Sequence, residues 1–270
     1  VQTDPALTAR ILKMINSANY RLRNPVTSIS QDDALVVRQQ LNQDLLVAVL
    51  AGVFKDFDVH QFPVRYLGHH CIKTASMARQ LAMQHALIID HDAFFTAGLL
   101  HDVGWLVIAK VNPGSYLQIT QLAKNENRDV LQVEAEKLGV THIDVGVALL
   151  DKWGIPGLIT ECVRKHHDRD HVGPLSVETS IVFLANQLSR LDLSDAAPDA
   201  EQDEEERVSA ILSTIPNWEN SKCTSEQIAI ACRLADQQWL EVMESLGMID
   251  LDIDDSLEET FLFNTDLDRL

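Results

Sequence analysis

The chain is poor in the residues that staple a fold or attract polyanions. Its four cysteines, Cys71, Cys162, Cys223 and Cys232, stand far apart with no C-x-x-C pair. This argues against a disulfide framework and a finger-type zinc site, and reads as small core residues in a reducing compartment. Basic residues are scarce: 22 Lys and Arg face 40 Asp and Glu, a net charge of −18. That balance opposes attraction to nucleic acid or to an anionic membrane, so neither polyanion is an expected partner. No run reads as a bilayer span or a signal peptide, and a cytoplasmic location is expected. Strand alternation and internal repeats are also missing. What remains, with 46% hydrophobic residues over 270 positions, is enough for a sizeable all-helical core.

Asp4-Pro5 opens a first helix that runs through Leu7, Ile11, Met14, Ile15 and Ala18 and ends by Asn24-Pro25. Helices follow from Ser30 and over Leu41 to Phe54. The next is expected from about Pro63 to Gln84, with Ala75, Ala78, Leu81 and Ala82 spaced for close helix packing. Asp90 or Asp92 caps a helix over Ala93 to Leu100, and Trp105 to Ala109 continues apolar. Tyr116 to Lys124 and Val130 to Leu138 are amphipathic, the second stopped by Gly139. Thr141 leads into a helix ending at Trp153, followed by Ile159 to His167 and Thr179 to Leu191. Carboxylates dominate Asp192 to Glu206, which reads as a solvated, mobile linker. Arg207 to Ile215 and Thr224 to Leu246 are helical, with a capping box from Thr224 and Gln227, before a second acidic stretch at Asp250 to Glu259.

The chemistry concentrates in histidines. His70, His101 beside Asp102, His142, and the doublet His166-His167 each fall at or near a helix end, as they would if several helices of a bundle converged on one cavity. His60, His85, His91 and His171 fall outside this pattern and are expected on the surface. Imidazole with carboxylate suits a divalent transition ion, Fe, Mn, Zn or Ni. Such an ion polarises a phosphate ester and activates water, with Asp102 as the acid that holds it. Lys73, Lys165 and Arg169 are candidates to meet the phosphate charge.

The carriers of a wider likeness are Asp4-Pro5-Ala6-Leu7, Asn16-Ser17-Ala18, Ala97-Gly98-Leu99-Leu100-His101-Asp102, the Glu134 to Gly139 segment before His142, Trp153 with Pro156, and His166-His167. On these the chain resembles the HDOD domain, a signalling relative of the HD-GYP phosphodiesterases within the HD superfamily of metal-dependent phosphohydrolases. The likeness covers about residues 1–191. The segment that usually precedes Asp4-Pro5 in the family is not seen, so an upstream truncation is expected. The resemblance implies an HD-domain-like helical bundle with an N-terminal helical subdomain. The expected division is 1–60 for that subdomain, 61–191 for the HD-like core, 192–206 for the acidic linker and 207–270 for a C-terminal helical extension.

The departures from the family pattern bear on function. A late aspartate completes the first metal site in catalytic HD proteins, and the matching position here is Asn186. The lysine that often follows HD-x-G is Trp105, and Asp168 to Pro174 stands in place of the glycine-rich Gly-Tyr-Pro segment. The resemblance therefore implies a signal-transduction output or regulatory module with weak or no catalysis, acting on a signalling protein partner or a small ligand. The alternative is a metal-dependent phosphohydrolase acting on a nucleotide or other phosphate ester.

Overall fold

The computed structural model describes residues 64–190, apart from 86, 87, 89 and 156, and residues 204–246. The helices expected before residue 61, His60, most of the acidic linker and the acidic stretch after Asp250 lie outside the described residues. Among the described residues every regular element is helical. They are α1 (Val64–Gln84), α2 (His91–Leu100), α3 (Val103–Val111), α4 (Ser115–Glu126), α5 (Val130–Leu138), α6 (His142–Trp153), α7 (Gly157–Lys165), α8 (Ser176–Ser189), α9 (Glu204–Leu212), a 3-10 turn (Trp218–Ser221) and α10 (Ser225–Leu246).

Helix α1 is the axis of the bundle, packed against α2, α8 and α10. Ala75, Ala78 and Ala82 are fully buried along it, and their small side chains let α2 approach closely. A Cβ on Gly98 of α2 would lie 2.7 Å from the Ala75 Cα, so only glycine fits that crossing. This close contact fixes the end of α2, where His101 and Asp102 follow, against the turn of α1 that carries His70. Helix α3 crosses α6 in the same manner, with Gly104 against the His142 backbone. One apolar cluster, with Phe95, Leu99, Trp105, Tyr116 and Leu150, fills the space among α1 to α6, and a second, with Phe94, Phe183, Leu184 and Ile228, joins α1, α2, α8 and α10. Each such side chain removed from water contributes about 1.5–3 kcal/mol.

Local signals set the helix ends. Asp90, not Asp92, caps α2 by accepting from the Ala93 amide, while Asp92 pairs with Arg79 at 3.2 Å. Gly139 ends α5 in the left-handed conformation, and Thr141 with Asp144 forms a capping box that starts α6 at His142. Thr224 and Gln227 bond reciprocally at 2.9 and 3.2 Å at the start of α10, as their spacing predicts. This last helix lies on the domain: Gln238 accepts from Gln80 at 3.0 Å and Gln227 donates to the Gln84 carbonyl at 2.9 Å.

Three sequence expectations are corrected. Helix α7 ends at Lys165, so His166 and His167 occupy the turn after it and not the helix itself. Helix α9 begins at Glu204, inside the stretch read as linker, because three glutamates there, Glu204 to Glu206, continue into the helix that carries the buried Val208 and Leu212. The segment His91–Val111 does contain an 18-residue window with the apolarity of a membrane span, at mean hydropathy 1.4, but 78% of that window is buried in the bundle. It is interrupted at His101-Asp102, where α2 gives way to α3.

Candidate metal centre

The break between α2 and α3 places the central acid. Asp102 is the N-cap residue of α3, yet its side chain caps no amide. The carboxylate turns instead into a ring of histidines drawn from four places in the fold. His101 comes from its own turn, His70 from the middle of α1, His142 from the first position of α6, and His166 from the turn after α7. The Oδ2 atom of Asp102 lies 3.1 Å from His101 Nε2 and 3.8 Å from His70 Nε2. Oδ1 lies 3.3 Å from His142 Nε2 and 3.5 Å from His166 Nε2. One carboxylate thus divides two lobes, His70 with His101 on one side and His142 with His166 and His167 on the other.

Every one of these four rings is anchored from behind. His101 Nδ1 donates to the Gly98 carbonyl and His166 Nδ1 to the Val163 carbonyl, each at 2.7 Å. His142 Nδ1 donates to Glu134 at 2.7 Å. His70 Nδ1 donates to the Ser189 hydroxyl oxygen at 3.3 Å, while that hydroxyl donates to the Asn186 carbonyl at 2.9 Å. A neutral imidazole that donates from Nδ1 carries its lone pair on Nε2. The Nε2 atoms of His70 and His101 face each other at 3.1 Å, and those of His142 and His166 at 3.3 Å. Lone pairs at that separation repel unless a proton or a metal ion lies between them. The donor set therefore fits a transition-metal ion in each lobe, with the back-side bonding characteristic of metal-bound histidine.

The electrostatics of these side chains follow from burial and from two carboxylates, Asp102 and Glu134. Burial alone would raise the Asp102 carboxyl, but the charge and hydrogen bond of His101, with the bonds of His142 and His166, hold it well below the usual range. Burial likewise disfavours the His142 cation, yet Glu134 and Asp102 together lift this ring to about 10. His70, His166 and His167 go the opposite way. Burial pushes His166 down to about 4, and burial with neighbouring positive charge, Arg190 included, keeps His70 and His167 well below 6.5.

The surrounding cavity is lined by His70, Asp102, His142, His167, three aromatic rings and Arg190. Trp105 stacks on the His142 ring at 5.3 Å and 17° and meets Tyr116 edge-on. All six residues read from the sequence as ligands, His70, His101, Asp102, His142, His166 and His167, come together. Asn186 is fully buried on α8 near them, but its Oδ1 accepts from Arg190 Nε at 3.1 Å. Lys73, Lys165 and Arg169 do not line the cavity: Lys165 bonds Asp168 and Arg169 pairs with Asp170. Two residues that sequence reasoning passed over as site members belong here. Glu134 was visible only as part of the segment before His142, and Arg190 only as a basic residue one helical turn beyond Asn186. Of the histidines expected at the surface, His91 and His171 are half-buried and bond the carbonyls of Ile88 and Pro174.

Comparison with known proteins fits this geometry. An uncharacterized protein of Treponema pallidum is 28% identical over 175 residues, a span that takes in 63% of this chain and 33% of that protein's length. The crystal structure of an HDOD domain protein with unknown function from Geobacter sulfurreducens superposes with a TM-score of 0.63 at 24% identity, covering 90% of this chain and 83% of its own. A Shewanella amazonensis structure described as a "putative phosphohydrolase" gives 0.65 at 21% identity, covering 91% and 84%. At those identities the structures share the helical fold. The sequence pattern of the HDOD domain matches residues 1–169, which take in Asp102 and all five histidines around it, and the chain belongs to the HDOD domain family.

Proposed function

We propose that this domain is a metal-dependent phosphohydrolase acting on a phosphate ester. The observation that carries the reading is the set of four buried histidines, each bonded behind at Nδ1, with the Nε2 atoms of His70 and His101 facing Oδ2 of Asp102 and those of His142 and His166 facing Oδ1. His70, His101 and Asp102 Oδ2 would hold one ion, and Asp102 Oδ1, His142, His166 and His167 a second. Such ions supply Lewis acidity toward a phosphoryl oxygen and lower the pKa of water. The residues supply placement. Glu134 keeps His142 in one tautomer and one orientation, and Trp105 covers the flat face of that ring and keeps water from it. Asp102 provides the negative charge that both lobes share.

The same residues in a module of signal transduction, holding metal but turning over nothing, are the second reading. It is favoured by Asn186, whose neutral amide stands where the family resemblance puts an aspartate ligand and is already bonded to Arg190. Protein purified without added metal is assayed for transition-metal content, then for hydrolysis of phosphomonoester and phosphodiester substrates. Bound metal with turnover supports the hydrolase, and bound metal without turnover supports the regulatory module. The double variant His101→Ala, Asp102→Ala should lose metal while keeping its helical circular dichroism. Uptake retained in that variant removes the site assignment altogether.

A further inference from the structure

We propose that Arg190, oriented by Asn186, is the oxyanion-binding residue of this pocket and takes the phosphate group of the ligand. The inference rests on the metal-centre reading for its context but on different atoms, which lie beyond the matched residues 1–169.

Arg190 is the C-cap residue of α8, and a cation at a helix C-terminus is favoured by the helix dipole alone. Such a residue normally extends into water. Arg190 instead folds back one turn, donates from Nε to Asn186 Oδ1 at 3.1 Å, and lines the cavity that holds His70, Asp102, His142 and His167. With Nε held, the guanidinium plane is set and its four remaining N–H bonds lie on the two Nη atoms, the fork that matches two oxygens of a phosphate. No carboxylate among the described residues pairs with Arg190. Asp102, the one acid lining the same cavity, is committed to the histidines.

Asn186 adds to the argument through its own hydrogen bonds. The residue is fully buried, its oxygen is taken by Arg190, and its Nδ2 group has no hydrogen-bond partner. An aspartate at this position would close a salt bridge on Arg190 and neutralise it. The amide orients the guanidinium without neutralising it, so the pair presents donors and positive charge. That is the complement of a phosphate, and it explains why a cation stands beside a site built to hold cations: the ligand between them is an anion.

Inorganic phosphate is the probe. Its affinity is measured by calorimetry on metal-loaded protein and on metal-stripped protein, for the wild type, Arg190→Gln, Arg190→Lys and Asn186→Asp, with metal content determined in parallel. Loss of a charge-assisted bidentate contact should weaken phosphate binding by about tenfold or more in Arg190→Gln, with metal content unchanged and with partial recovery in Arg190→Lys. Asn186→Asp should also weaken phosphate while holding metal at least as tightly. If Arg190→Gln binds phosphate like the wild type, the inference is overturned. If the wild type takes up no metal, the metal-centre reading fails by itself. The oxyanion site then stands if metal-stripped protein binds phosphate in an Arg190-dependent way, and falls if it does not.

Discussion

Glu134 holds His142 twice. Its Oε2 accepts the His142 backbone N–H at 2.6 Å and its Oε1 accepts the ring Nδ1–H at 2.7 Å, both fully buried. One carboxylate therefore fixes where α6 begins and which way its first side chain points. In Glu134→Gln one of the two His142 donors faces an NH2 group that cannot accept. Substitutions behind a metal-bound histidine weaken binding by roughly 10–100-fold. Isothermal titration should show one weakened metal site in this variant, the His142 lobe, with the His70 and His101 lobe nearly unchanged. Equal weakening of both sites would mean that Glu134 supports the whole fold and not one ligand.

Gly104 and Gly139 offer a contrast that separates strain from collision. A Cβ on Gly104 would run into the His142 carbonyl, a backbone atom that cannot move aside. A Cβ on Gly139 would meet nothing within 4 Å, although φ there is +75°. Gly139→Ala is expected to cost about 1 kcal/mol of stability from the left-handed conformation, with metal affinity preserved. Gly104→Ala should cost more than the usual 1–3 kcal/mol of overpacking and should lower metal affinity as well, because α3 and α6 carry Asp102 and His142 apart. Chemical denaturation with a parallel metal titration reads both effects.

Two capping boxes allow a similar comparison. Thr141 and Thr224 each bond the backbone three residues on, so alanine at either costs about 1 kcal/mol. Only Thr141 immediately precedes a residue of the centre. Thr141→Ala should loosen metal in the His142 lobe, while Thr224→Ala, at the start of α10, should leave metal affinity as it is.

Among the described residues the helices and the convergence of the histidines were legible in the sequence through apolar periodicity, Gly139 and Thr141 at helix ends, and His101, His142 and the His166-His167 doublet beside helix ends, whereas His70, which the sequence also put near an end, lies inside α1. Gly98 and Gly104 could be read as neighbours of the His-Asp pair, but their role as crossing points depends on α1 and α6, which are distant in sequence. Glu134 was hidden for another reason. It lies eight residues before His142, on a different helix, and only the turn at Gly139 folds the two together. Lys165 looked suited to a phosphate because it precedes the histidine doublet, yet it bonds Asp168 three residues on. Arg190 reaches the cavity because the last turn of α8, where Ser189 bonds His70, packs against α1. Charge in a sequence is visible, but the direction a long side chain takes is decided by its nearest partner.

The metal-free pocket should carry a pH signature in stability. His70, His166 and His167 have depressed values, His166 near 4 against an ordinary 6.5. Between those limits the unfolded chain binds protons that the folded one refuses, so stability falls as pH falls from 6.5 toward 4. Asp102 adds to the acid side, since its carboxylate is favoured in the fold and that contribution is lost below its ordinary 3.8. His142 acts in the other direction. It keeps its proton to about 10 in the fold, so its contribution is complete below 6.5 and is lost as pH rises through 10. The melting temperature of chelator-stripped protein should therefore peak near 6.5, falling on the acid side as three histidines titrate and on the alkaline side as His142 does, joined above about 9 by the buried Cys71, Cys162 and Cys223 thiols, whose raised values keep them protonated in the fold. Replacing His142 with Asn should flatten the profile between pH 6.5 and about 9, below the range where the buried thiols act, and leave the acid flank. A profile that instead rises steadily from pH 6.5 to 10 would show that Glu134 and Asp102 do not hold a proton on His142, and that the ring enters the centre neutral.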